Sequence, residues 1–546
     1  MKAQLRATTS GLTLIALLAA AGTAQAQTVY GTGATATGAT ATAIGENAVT
    51  IGIDATGLGV NVFVTGANAT GLGADAVVIG AGATGIGANV LADGGGVTAV
   101  GAGSSAIGSA LTVLGASATA TGSSATAIGH SASGNVGSTA VGAAASALGG
   151  ASTAVGVNSN ASADRSVAVG WLSSATAVSS AAFGTDAQAT GLQSTAIGDN
   201  AVASIQQSTA LGADSRAGEA ATALGTAASA TAVESTAVGA ASVASGVQST
   251  GLGHWATASG HQSVALGFLS QATQVGSTAV GFNSSATGAD SAAFGPHANA
   301  TGIHSIAVSG NALAGDSVAI GGTATQVLGT AVGRLSLADS ANSTALGHSA
   351  MAQGANSTAL GARSQTTGAF ATTVGGAALA NQATSLGSSS SATGIGSTAS
   401  GYSSLASGAH ASAYGEASQA SASGASAVGW NALAGGMNAV AFGSNAQASA
   451  NNSVALGAGS VANRASTVSV GAAGSERQIV NVAAGTAATD AVNVSQLAGV
   501  MGEVHNEITN VYNYIERVEE GASRGIAAVA ALAQPIYFPE PGAGMA

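Results

Sequence analysis

The side chains that could do chemistry are few and scattered. Eight histidines are present and cysteine is absent. His254 and His261 stand seven apart, as do His297 and His304. Seven is half of the repeat described below, so each pair falls on opposite halves of a coil. A metal would need ligands converging at about 2 Å, and the histidines therefore read as solvent-facing turn residues. Serines abound, yet nothing brings an acid, a histidine and a serine together. Gly71-x-Gly73 and Gly85-x-Gly87 lack the strand-to-helix setting of a nucleotide loop. The only lysine, Lys2, lies in a leader, so a Walker loop is excluded from the mature chain. No catalysis, metal or cofactor is expected.

A second set of residues points to binding. One residue past successive repeat glycines stand His254, Phe268, Phe282 and Pro296, with Trp171 and Trp430 at equivalent places elsewhere. Residues one repeat apart in a solenoid lie one above another. If the position faces outward, these four form an apolar ridge able to contact a ligand, since exposed aromatics are enriched at interaction sites. The competing role is packing between subunits.

What positions them is a fourteen-residue period. Ser-Thr-Ala-aliphatic-Gly recurs, and the closing glycines fall at Gly142, Gly156, Gly170, Gly184, Gly198 and Gly212. After a slip to Gly225 the step resumes through Gly239, Gly253, Gly267, Gly281 and Gly295. Within each repeat the local period is two, which marks a short strand. Glycine with Ser, Asn or Asp then turns the chain. Two strands and two turns in fourteen residues make one coil of a narrow β-solenoid. The large residue before each glycine, such as Val141, Ile197 or Leu266, is expected inside the coil, one per coil. Alanine is expected on the opposite strand face, where it lets another backbone approach. So little apolar area per coil implies that copies of the chain pack together. Spacing breaks between 310 and 343 and between 388 and 425 predict irregular coils or small loops.

Composition agrees. Of 546 residues, 83 are glycine and only 6% are charged. Mean hydropathy is +0.41, but alanine carries it, so neither a membrane helix nor a large greasy core follows. Four prolines and few charges do not suit disorder, and glycine is not at every third position, which excludes collagen. Residues 1–26 read as a secretory signal: Lys2 and Arg6, the apolar run 12–21, then Ala24-Gln25-Ala26. Beyond it, eight arginines face 22 acidic residues, a net charge of −14. That dilute negative field argues against a nucleic-acid partner.

Near 476 the repeat stops. Leu497, Met501, Val504, Ile508, Val511, Ile515 and Val518 then alternate steps of four and three, a heptad seam whose β-branched residues favour a trimer. A small-residue helix is expected from Gly521 to Ala533, ending before Pro535, Pro539 and Pro541.

The head repeats, as in Asn452-Ser453-Val454-Ala455-Leu456-Gly457, resemble those of trimeric autotransporter adhesins of Gram-negative bacteria, the YadA-like family. So do the pieces Asp490-Ala491-Val492-Asn493 and Ser495-Gln496-Leu497. The resemblance implies an all-β fold, with a left-handed parallel β-roll as a trimeric head, then a neck and a short trimeric coiled coil. Its divisions would be a signal peptide at 1–26, an irregular start of the head at 27–97, and fourteen-residue repeats at 98–475. A neck at 476–497, a coiled-coil stalk at 498–520 and the start of an outer-membrane anchor at 521–546 follow. Family anchors continue into four β-strands per chain, and the residues after Ala533 are too few for these. The expected function is attachment of a Gram-negative bacterium to extracellular matrix protein, host cells or abiotic surfaces. The partners are then two further copies of the chain and, through the anchor, the outer membrane. The alternative is a self-associating structural protein of the cell surface or biofilm matrix.

Overall fold

The computed structural model describes residues 27–533 and the pair Gln4–Leu5. Apart from that pair, the expected leader at 1–26 lies outside the described residues, as do the three prolines at 535, 539 and 541. The chain divides into two units, Met1–Val468 and Ser469–Ala546.

The first unit is a parallel β-solenoid. A three-residue strand such as Thr195–Ile197 is followed by a turn, a two-residue strand such as Val202–Ala203, and a second turn. Each strand pairs in parallel with its counterpart one coil on, as Thr195↔Thr209 and Val202↔Arg216 show. One strand of each coil joins one sheet and the other strand a second; the second sheet opens with three-residue strands such as Thr35–Thr37 and Val49–Ile51 and continues with two-residue ones from Ser133–Gly134 on. Every coil is tied to the next through its main chain: Thr42 N–H donates to the Ala55 carbonyl at 2.8 Å, and Gly45 N–H to that of Tyr30 at 2.7 Å. At about 4.8 Å per coil the stack is on the order of 150 Å long.

The corners explain the glycines. Each half-coil turns through a residue in the left-handed region, at Asn47, Asp54, Asn61, Asn68 and Asp75 and onward in sevens. Asparagine and aspartate tolerate that region best after glycine. They also bond up the stack, Asn47 to Asn61 at 3.1 Å and Asn61 to Asp75 at 2.9 Å. Gly142, at φ 140°, needs glycine for a second reason: an added Cβ would run into the Gly156 carbonyl.

The interior reverses one expectation. The large residue before each glycine points outward, with Ile197 37% and Leu266 38% exposed, whereas Ala196 and Ala265 between the flanking residues are fully buried. Alanine and serine fill nearly every inward position; many of the serine hydroxyls donate to the carbonyl three residues back, as Ser159 does to Gly156 at 2.9 Å, whereas others such as Ser194 and Ser263 find no partner. The two sheets stand too close for anything larger, so period two was read correctly and its two faces were exchanged. Larger residues enter mainly in the first coils: Val62, Val64 and Val78 stand against Gly57, Gly71 and Gly85, while Val97, Leu111 and Val113 are buried as well.

Register also corrects the spacing. The first coils, expected to be irregular, step by fourteen without a break, Thr28↔Thr42, Thr42↔Thr56 and Thr56↔Thr70. The stretch 388–425, expected to break, is regular as well, through Thr398↔Ser412 and Ser412↔Ser426. Its glycines at 387, 401, 415 and 429 keep period where the Ser-Thr-Ala signature lapses. True shortening occurs elsewhere, in twelve-residue coils at Asn299↔Asn311, Asn311↔Thr323 and Gln365↔Ala377. The second falls within 310–343, where irregular coils were expected, and the first lies just before it.

The second unit holds the neck and one helix, Val494–Leu532. At 39 residues it spans about 58 Å, and it continues through Gly521 rather than restarting there. Its start is fixed by side chains. Asn493 accepts from Gln496 N–H at 2.9 Å, and the Gln496 side chain reaches back to Asn493 N–H at 3.3 Å, a capping box. The Gln496 amide also pairs with both main-chain groups of Gly485 at 2.9 Å. Asn493 donates to the Val482 carbonyl at 3.1 Å. Asp490 accepts from Ala487 N–H at 3.0 Å and Thr486 N–H at 2.8 Å. Those main-chain bonds, Ala487 first, hold its carboxyl below the ordinary aspartate range.

Gly71→Ala would press a methyl against Val64 and should destabilise by about 1–3 kcal/mol, seen as faster amide exchange across Thr70–Leu72. Gly499→Ala, where a methyl meets nothing, should instead strengthen the helix by about 1 kcal/mol. A carboxyl whose folded pKa is depressed stabilises above its unfolded pKa and loses that contribution as pH falls through the folded value. The neck should therefore loosen below about pH 4, with Thr486 and Ala487 amides exchanging faster. Asp490→Asn should remove that pH dependence.

Candidate functional site

The corner that follows each three-residue strand carries the candidate ridge. Two residues turn there, the first just past the repeat glycine and the second in the left-handed region, before the chain re-enters the core at a buried residue, usually alanine or serine. Both side chains leave the coil, so their identity is free of the packing rule that governs the interior.

His254, Phe268, Phe282 and Pro296 all lie exposed on this corner in successive coils. Three of them stack. Phe268 and Phe282 rings are 5.6 Å apart and nearly parallel at 5°, and His254 lies 5.3 Å from Phe268. Two ring residues that the sequence reading passed over complete the column. Trp255 stacks on His254 at 4.0 Å and stands 5.8 Å from Phe268. His297 meets Phe282 edge-on at 5.2 Å. Both occupy the second corner position, Trp255 at φ 56° and His297 at φ 56°. Counting only the first corner residue missed them; scanning both columns would have found them.

Trp255 is half exposed, and a bulky side chain in the left-handed region costs about 1–3 kcal/mol. Pro296 ends the column without a ring contact among the described residues. Trp171 and Trp430, on the same corner far from the column, are exposed and stand alone. The surroundings differ from expectation: the ridge borders the outward aliphatic column of Leu252, Leu266 and Phe294, not a purely polar surface.

The remaining histidines divide. His261 is exposed on the opposite corner. His304 lies between two carboxylates of neighbouring coils, Nδ1 3.2 Å from Asp316 and Nε2 3.8 Å from Asp290. Among the described residues no three acids or histidines converge as a metal site, and no helix is long and apolar enough to cross a membrane.

The helix presents the second candidate surface. Leu497, Met501, Val504, Ile508, Val511, Ile515 and Val518 are each about half exposed or more, and no residue of the helix is buried within the single chain. The same four-three steps carry on through Ala522, Gly525, Val529 and Leu532 in the continuous helix, past the point where the heptads were expected to end.

Comparison with known proteins supplies the context. The family model "YadA head domain repeat (2 copies)" matches twelve segments between residues 112 and 460, together more than half of the chain. "Coiled stalk of trimeric autotransporter adhesin" matches 478–518. No curated protein matches. Among solved structures, the collagen-binding domain of the Yersinia adhesin YadA is 28% identical, covering 38% of this chain and 87% of that one, with a TM-score of 0.19. Members of this family are exported cell-surface proteins. A parallel solenoid built from head repeats, followed by a capped neck and an apolar-seamed stalk helix, makes this chain a member of the YadA-like trimeric autotransporter adhesins.

Proposed function

We propose that the chain is a homotrimeric adhesin of the outer membrane of a Gram-negative bacterium, attaching the cell to matrix, host-cell or abiotic surfaces. The observation that carries the reading is the run of exposed rings in mutual contact from His254 to His297. A soluble rod has no reason of its own to hold rings in water at a strained corner. Stacked aromatics on a rigid support are a low-entropy contact surface.

Trimerisation is supported by two apolar surfaces that a single chain leaves in water. One is the helix seam. The other is the column of Ile197, Leu211, Leu224 and their counterparts along the solenoid. Threefold packing of the chain on itself would cover both, and the β-branched seam favours three strands over two. The shared interior between chains would then be made of the large aliphatic residues, with alanine kept for the interior of each coil.

Cells displaying the protein with Phe268→Ser and Phe282→Ser together should attach at least about tenfold less well, with trimer content and display unchanged. Attachment equal to wild type, with trimers intact, would remove the ridge as the contact surface. Loss of cell-to-cell clustering alone would favour self-association over a foreign ligand.

A further inference from the structure

In an ordinary coil, Ala362 and Arg363 turn the corner between Gly361 and the buried Ser364. One coil later that pair is missing. Gly375 is followed at once by Gly376 in the serine's place, and Ala377 pairs with Gln365 only twelve residues back. Gly376 packs so closely on Ser390 that a Cβ would strike its hydroxyl and carbonyl, so no side chain refills the corner. The result is a notch of about 620 Å³, floored by Gly375 and Gly376 and walled by Arg363 and His348 on one side and Ser388 and Ser389 on the other. Two coil steps separate the walls, about 10 Å.

The charge around it is one-sided. Arg334, His348 and Arg363 occupy successive corners, joined through the main chain by Ser349 N–H to the Arg334 carbonyl and Arg363 N–H to that of His348, both 2.9 Å. All three are exposed. Among the described residues neither arginine has an ion-pair partner. Along this corner no acid appears from His254 until Glu416. Two of the eight arginines of an otherwise acidic mature chain thus stand within a few coils of this notch, on its own corner.

We infer that this notch binds a saccharide unit carrying an anionic group, sulfate or carboxylate. Guanidinium groups present paired donors to such an oxyanion, while the Ser388 and Ser389 hydroxyls and the exposed Gln365 amide suit sugar hydroxyls. A gap two coils wide admits one ring at a time from a chain running along the edge. A nucleic acid would need a longer cationic track than three residues. The ridge and the notch lie on the same corner column, so both are open to one extended polymer. The site rests on the adhesin reading only for its biological use.

The test uses the purified mature protein on immobilised dextran sulfate, with neutral dextran in parallel, so that it is independent of cell attachment. Binding to dextran sulfate is expected, weakening with salt, and none to neutral dextran. Arg334→Gln with Arg363→Gln should weaken it at least about tenfold, while Arg165→Gln with Arg216→Gln, the same change in net charge elsewhere, should leave it unaltered. Inserting Asn-Ser between Gly375 and Gly376 restores a fourteen-residue coil and fills the notch while leaving both arginines in place; it too should abolish binding. Circular dichroism and melting curves verify folding of each variant. Equal losses from the two arginine pairs, or full binding by the insertion variant, would overturn the inference. Failure of cell attachment with retained dextran sulfate binding would count against the adhesin reading alone.

Discussion

The interior of each coil admits a methyl or a hydroxymethyl group and almost nothing more. Most other features of the solenoid follow from that width. Ala196, Ala210 and Ala265 are sealed inside because the two sheets lie close together, and Ile197, Leu211 and Leu266 are expelled because they do not fit. Close sheets also bring successive turns into register, so that main-chain bonds, not a large core, carry order from one coil to the next. Some exceptions obey the constraint, since Val64 and Val78 enter against Gly71 and Gly85, while Leu111 and Val113 mark coils that take one larger side chain. A single chain built this way leaves its largest side chains in water, and that apolar column has the form of an interface awaiting further copies.

Because the interior dictates composition so strictly, variation is confined to the corners. There, two residues per turn leave the coil, and evolution can place rings, charges or nothing at all. The stacked column from His254 to His297 and the deletion at Gly375 are two outcomes of the same freedom: one adds surface, the other subtracts it. The left-handed conformation required at the second corner position makes the choice of tryptophan at 255 costly, which is a physical reason to connect that residue with contact instead of stability.

Most of the architecture was legible in the sequence. Glycines fourteen apart and alternation around Thr-Ala-Ile-Gly are enough to specify two short strands and two turns per coil, and heptads from Leu497 are enough to specify the helix. The direction of the faces was not legible, because alternation reveals that two faces differ without saying which is inside. Hydrophobicity points to isoleucine over alanine, and only the sheet separation reverses that choice. Coil length was partly hidden too: the Ser-Thr-Ala signature fades at Ala411-Ser412-Ala413 and Ala425-Ser426-Ala427 although Gly415 and Gly429 keep the period, while Gly375-Gly376 looks like ordinary glycine-rich chain. The ridge was found in one column and missed in its neighbour. The neck pairings of Gln496 with Gly485 and Asp490 with Ala487 join residues by loop geometry that no periodicity encodes.

Whether outward aliphatic columns require company is decided by sedimentation equilibrium of the mature protein at micromolar concentration. The account predicts a folded species of three times the single-chain mass that does not dissociate on dilution short of unfolding. A monomer with full β-signal and a cooperative melt would contradict it.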